Sequence, residues 1–110
     1  MKAIPTFFVA DVRRAAEWYV RVLGFRVEFL RDDYAGVERE EATLHLALRE
    51  RFSESACYLR VADVEAFVAA VLAAGQPLFV PLKDHPDYGM REATVRDPDG
   101  NFLFIGQPLD

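Results

Sequence analysis

The imidazole and thiol groups of this sequence that could ligate a metal or attack an electrophile are those of His45, His85 and Cys57. They are far apart along the chain. His45 lies within an alternating run, Thr43 to Leu48, and a single imidazole does not make a metal site. His85 sits in Asp84-His85-Pro86-Asp87, whose composition reads as a solvated turn. Cys57 opens an apolar run with no histidine near it in sequence, so it reads as a buried structural thiol. No carboxylate pair and no Ser/His/Asp set stands out. These residue types favour binding over covalent chemistry, and an enzyme is the less favoured reading.

The elements that would position a binding site repeat. Phe8-Val9-Ala10-Asp11-Val12 returns as Arg60-Val61-Ala62-Asp63-Val64, 52 positions later. In each copy the Asp can accept from the free N–H groups of a first helical turn, and a Gly follows that suits a left-handed helix end. This predicts helices near 12–23 and 64–74. Ala15, Ala16, Tyr19, Val22 and Leu23 form the apolar face of the first, opposite Arg13, Arg14, Glu17 and Arg21. Val64, Phe67, Val68, Val71 and Leu72 form that of the second. A β-rich run precedes each helix (4–9 and 57–61). Three follow it, at 26–30, 36–39 and 43–48 and then at 78–82, 91–96 and 102–106. Asp32-Asp33 and Asp97-Pro98-Asp99-Gly100-Asn101 mark turns. The expected fold is α+β: one domain over 1–110, made of two βαβββ repeats (about 1–50 and 55–110) whose curved mixed sheets surround a cleft.

Composition narrows the partners. Nine Phe, four Tyr and one Trp, within a 52% hydrophobic chain, supply a packed core. At 110 residues a monomer buries only roughly 60 to 70% of its unfolded surface, so a second subunit would help. The net charge of −5, without a basic block, argues against nucleic acid and anionic lipid and favours a cationic ligand. The longest apolar run, Ala66 to Ala74, is under half of the roughly 20 residues a membrane helix needs. One cysteine cannot form an internal disulfide and no signal-like stretch opens the chain, so a cytoplasmic protein is expected.

With this organisation, certain motifs resemble the vicinal oxygen chelate superfamily of glyoxalases, extradiol dioxygenases and bleomycin-resistance proteins. They are Trp18-Tyr19, Leu23-Gly24-Phe25 and Arg96-Asp97-Pro98-Asp99-Gly100-Asn101. Pro5, Asp32-Asp33-Tyr34-Ala35-Gly36-Val37 and Tyr88-Gly89-Met90-Arg91-Glu92 bring it closest to the bleomycin-resistance group. The resemblance covers essentially the whole chain. Enzymes of that family hold a divalent ion at four inward strand positions, which fall here at Ile4, near His45, at Ala56 and at Phe104. Three of the four lack a donor atom, so no metal and no cofactor are expected.

The resemblance implies instead a homodimer that sequesters a flat, cationic small molecule of bleomycin type in a cleft between subunits. Phe29, Asp32, Asp33, Tyr34, Tyr58 and Tyr88 would line or rim that cleft, with Glu38 and Glu41 as further cation contacts and His45 inside it. Alternation in phase with the four family positions points Thr6, Phe8, Thr43, Ala47, Tyr58, Arg60 and Phe102 to the same side. The resistance group presents Trp where this chain has Tyr88 and Cys57, which weakens stacking. The alternatives are a metalloenzyme of glyoxalase or dioxygenase type with a degenerate ligand set, and a dimer whose cleft is filled by its own Phe8, Phe102 and Phe104.

Overall fold

A computed structural model describes all 110 residues. The chain runs β1 (Thr6–Val9), α1 (Val12–Leu23), β2 (Arg26–Leu30), β3 (Tyr34–Arg39), β4 (Ala42–Leu48), then β5 (Ala56–Arg60), α2 (Val64–Ala73), β6 (Val80–His85), β7 (Met90–Arg96) and β8 (Phe102–Pro108). Each half is a βαβββ unit, and each builds its own mixed four-stranded sheet, ordered β1-β4-β3-β2 and β5-β8-β7-β6. The first strand of each sheet lies parallel to the last, and the remaining pairs are antiparallel.

Both helices start where the repeat places them. Asp11 accepts from the N–H of Arg14 at 3.1 Å and Asp63 from that of Ala66 at 3.0 Å. Gly24 (φ 70°) and Gly75 (φ 86°) carry the left-handed turns that end them. The strands shift slightly from the sequence expectation. Pro5 has no N–H to give the ladder, so β1 begins at Thr6, although the Pro5 carbonyl still accepts from His45 N at 2.9 Å. Pro81 falls within the register shift between Val80 and Lys83, and β6 therefore starts later than 78 and runs on to His85. Thus His85 closes a strand, and the turn proper follows it, with Gly89 at φ 74°.

Each helix covers one face of its sheet. Phe7, Val9, Ala35, Val37, Leu44 and Leu46 of the first sheet, and Leu59, Ala93, Val95, Leu103 and Ile105 of the second, join the helix residues in one continuous core. Val64, Phe67, Val68 and Val71 are buried as expected, but Leu72 is half exposed. α2 is apolar nearly all round, so composition alone does not mark its inner edge.

The Asp97–Asn101 turn joins the two units. Asp97 is buried and accepts from the N–H groups of Asp99 and Asn101, from Asn101 Nδ2 and from the Tyr19 hydroxyl of α1 at 2.7 Å. Asn101 in turn donates to the Phe8 carbonyl and accepts from Ser55 N, and Asp99 accepts from Ala10 N. Trp18 Nε1 donates to Gln76 and Arg21 to the Ala74 carbonyl, tying α1 to the end of α2.

Candidate functional site

The sheet face opposite each helix carries the candidate site. Strand alternation sends Phe7 and Val9 into the core and leaves Phe8 41% exposed; likewise Leu59, Leu103 and Ile105 are buried while Tyr58 and Phe104 are 41% and 39% exposed. The in-phase set therefore does share the uncovered side. Thr43 is the exception in burial, because Lys2 Nζ reaches back to donate to its hydroxyl at 2.7 Å.

On the first sheet, Phe29, Tyr34 and His45 meet. Their ring centroids are 5.8, 5.3 and 5.2 Å apart in tilted and edge-to-face contacts, and the Tyr34 hydroxyl lies 2.7 Å from His45 Nδ1. Gly36 makes this possible. It pairs with both Phe29 and His45 across the sheet, and a Cβ there would lie 3.1 Å from the Phe29 ring. His45 is thus held by aromatic neighbours rather than alone on its strand.

On the second sheet, the hydroxyls of Tyr58 and Tyr88 donate to the two carboxylate oxygens of Glu92, at 2.5 and 2.6 Å. Gly106, opposite Glu92, again leaves room: a Cβ at that position would overlap the Tyr58 hydroxyl. His85 stacks on Tyr88 with centroids 4.9 Å apart, and Arg60 lies over the Tyr58 ring at 5.7 Å. Partial desolvation pushes the Glu92 carboxyl up, but the two tyrosine hydrogen bonds and the charges of His85 and Arg60 prevail and hold it below the usual glutamate range. Burial, followed by the Glu92 hydrogen bond and charge, pushes the Tyr58 phenol up to about 12. For Tyr88 the hydrogen bond to Glu92 leads and desolvation follows, again to about 12.

The expected site residues divide into groups. Asp32 and Asp33 occupy the exposed β2–β3 turn just before Tyr34, and Asp32 pairs with Arg13 at 2.7 Å. Glu38 lies further along β3 and is taken up by Arg26 at 2.6 Å. Glu41 sits in the β3–β4 turn and lines a cavity of about 230 Å³ with Phe25, Arg39, Tyr58 and Phe67. Tyr58 belongs to β5 of the second sheet and Tyr88 to the turn between its β6 and β7, and none of the principal cavities joins them both to Phe29, Tyr34 and His45. Glu92, the residue both tyrosines address, has no sequence signal of its own beyond its place in Tyr88-Gly89-Met90-Arg91-Glu92. His85 is half-buried against Tyr88 rather than solvated in a turn, because β6 carries through to it. Cys57 is half-buried in β5, where burial pushes its thiol up, away from nucleophilic reactivity.

A divalent metal does not fit the residues present. Ile4, Ala56 and Phe104 offer no donor atom, His45 is engaged by Tyr34, and no three His, Cys, Asp or Glu side chains converge anywhere in the chain.

Comparison with known proteins gives this architecture its relatives. Over 96% of its length the chain superposes, with 30% identity and a TM-score of 0.81, on 93% of the bleomycin-binding protein of bleomycin-producing Streptomyces verticillus, solved in complex with copper(II)-bleomycin. TioX from Micromonospora sp. ML1 is similar over 99% of both chains (23% identity, TM-score 0.87). The bleomycin resistance determinant encoded on the transposon Tn5 is similar over 98% of both (23%, 0.83), and these two likenesses speak for the fold. No curated protein sequence matches significantly. The family model for the Glyoxalase/Bleomycin resistance protein/Dioxygenase superfamily matches residues 4–104. With nearly the whole chain matched by that model and its paired βαβββ units reproduced, this protein belongs to the Glyoxalase/Bleomycin resistance protein/Dioxygenase superfamily.

Proposed function

We propose that this chain is a small-molecule binding protein that sequesters a flat, cationic compound of the bleomycin type, with no metal of its own and without chemical change. The observation that carries this reading is the set of rings, Phe29, Tyr34 and Tyr58 on sheet faces that no helix covers and Tyr88 on the turn beside them, with carboxylates among and beside them. The binding of copper(II)-bleomycin by the 30% identical Streptomyces protein supports the ligand class.

A homodimer in the cytoplasm is part of the proposal. Each uncovered face is one wall, and Phe8, Phe79, Tyr88 and Phe104 are exposed apolar surface that a second copy would cover. A second copy would set the first sheet of one protomer against the second sheet of its partner and so complete two clefts.

The test is calorimetric titration with copper(II)-bleomycin and with metal-free bleomycin. Trp18, the only tryptophan, is buried on α1 against Gln76 and is a poor reporter of the sheet faces, so heat is the better signal. Saturation at one ligand per chain supports a sequestering cleft. Asp32→Asn with Asp33→Asn weakens binding about fivefold at low salt, the scale of two exposed rim charges. An absence of heat at high micromolar ligand refutes the drug-binding reading. Turnover of a glyoxalase or dioxygenase substrate by metal-loaded protein would favour the enzyme alternative, and binding restored by trimming Phe8 or Phe104 would favour the filled cleft.

A further inference from the structure

The hydroxyl protons of the second sheet determine which ligand edge that wall accepts. A phenol has one proton to donate. Tyr58 and Tyr88 both give theirs to Glu92, one to each carboxylate oxygen, so neither keeps a donor for a ligand. Toward the open face these three side chains present only lone pairs. Cationic groups stand beside this edge without closing it. Lys83 is the cross-strand partner of Glu92, Arg60 lies over the Tyr58 ring and His85 stacks on Tyr88, yet no ion pair forms between Glu92 and either Lys83 or Arg60. The carboxylate is shared between two neutral hydroxyls, and Arg60 and His85 bear on its charge without a salt bridge to it.

The arrangement is also built in at the backbone. Gly106 faces Glu92 across β7 and β8, and any side chain larger than hydrogen would displace the Tyr58 hydroxyl. Both ring planes are then held by one carboxylate, which lowers the ordering cost of stacking a flat ligand against them.

We propose that Glu92 is the specificity-determining residue of the cleft: it fixes Tyr58 and Tyr88 in place and turns them into an acceptor-only edge that takes an N–H donor of a flat ligand and rejects an oxyanion. This deepens the binding reading above and rests on it for the existence of a cleft.

Two planar three-ring dyes test it, 9-aminoacridine, a cation with N–H donors, and 9-anthracenecarboxylate, an anion of similar area. Wild-type protein should bind the first at least about tenfold more tightly, the scale of a hydrogen bond to a charged group. In Glu92→Gln the amide can accept from one tyrosine but must donate to the other, so one hydroxyl turns its proton outward and the preference should fall at least about tenfold. Gly106→Ala should lower it by a separate route, by pushing Tyr58 off Glu92. A difference titration of phenolate absorbance, with no ligand present, should show Tyr58 and Tyr88 ionising near 12 in wild type and lower in Glu92→Gln, Tyr88 by more than Tyr58, whose shift burial leads. Equal binding of both dyes, or a preference unchanged by Glu92→Gln, overturns the role of Glu92 and leaves the cleft standing. Binding of neither dye removes the cleft and this proposal together. Ionisation of Tyr88 at the ordinary value in wild type, assigned by its loss in Tyr88→Phe, overturns the bridge whatever the dyes do.

Discussion

Replacing Tyr19 by Phe deletes one hydroxyl and tests the joint between the two βαβββ units. Tyr19 is fully buried and its hydroxyl donates to Asp97 Oδ2 at 2.7 Å, while Asp97 itself is 4% exposed. The phenylalanine ring keeps the edge contacts to Trp18 and Phe25, so packing is nearly conserved. A hydrogen bond to a charged group contributes about 1.5–3 kcal/mol, and Asp97 retains its two backbone donors and the Asn101 amide, which points to the lower half, about 2 kcal/mol. An unfolding entropy of about 2.1 cal/mol/K per residue converts this to a fall in Tm of roughly 8 °C for a chain of this length. The melt is followed by circular dichroism at one fixed chain concentration, since a dimer's Tm depends on it. Burial, followed by the charge and hydrogen bond of Asp97, raises the Tyr19 phenol well above 10.0. The stability it contributes is therefore complete below pH 10 and declines as pH rises further, so the gap between wild type and variant should narrow above pH 10. A Tyr19→Phe protein that melts within about 2 °C of wild type at neutral pH refutes the joint.

Asp63→Ala removes the acceptor for Ala66 N at the start of α2 and should cost about 1 kcal/mol, read as a Tm lower by roughly 4 °C. Gly36→Ala would crowd the Glu28 carboxylate and the Phe29 ring; ligand affinity should fall severalfold, and the shift that Phe29 imposes on the His45 ring protons should change in NMR spectra. The Glu92 carboxyl is held below its usual range, so its contribution to stability is present above about pH 4.5 and is lost as pH falls through the lower folded-state value. Glu92→Gln should flatten that part of the acid unfolding curve. Sedimentation at micromolar concentration should give twice the 12.5 kDa chain mass, and a monomer would contradict the shared cleft.

What could be read from sequence follows from which side of each strand is constrained. The core face obeys burial, so the alternation of Phe7 and Val9, or of Leu103 and Ile105, gives strand position and phase within two residues in most strands. The helix starts were legible because Asp11 and Asp63 act through local geometry, three residues away. Prolines caused the shifts. Pro5 delayed β1 and Pro81 displaced β6, because a missing N–H changes where a ladder begins without changing the composition of the run. The uncovered face was harder. Phe29, Tyr34 and His45 were named from resemblance, but their meeting depends on Gly36 lying between them in a three-strand row, a long-range relation. Glu92 was missed for the same reason: Tyr58 is 34 positions away and reaches it only across β8, over Gly106.

The same geometry decides whether charge or stacking governs binding. A net charge of −5 suggests an electrostatic trap, yet two of the acids near the rings are occupied, Asp32 by Arg13 and Glu38 by Arg26, and Asp33 is exposed. Exposed charges of this kind contribute about 0.2–1 kcal/mol each and are screened within roughly 10 Å at 0.1 M salt. Aromatic contacts add about 0.5–1.5 kcal/mol apiece beyond their buried area, and salt does not screen them. Four rings on two walls therefore outweigh the rim acids, with Glu92 held among the rings of the second wall. Binding of copper(II)-bleomycin should weaken by no more than about tenfold between 0.05 and 0.5 M salt. A steeper loss would mean that the rim acids, and not Phe29, Tyr34, Tyr58 and Tyr88, hold the ligand.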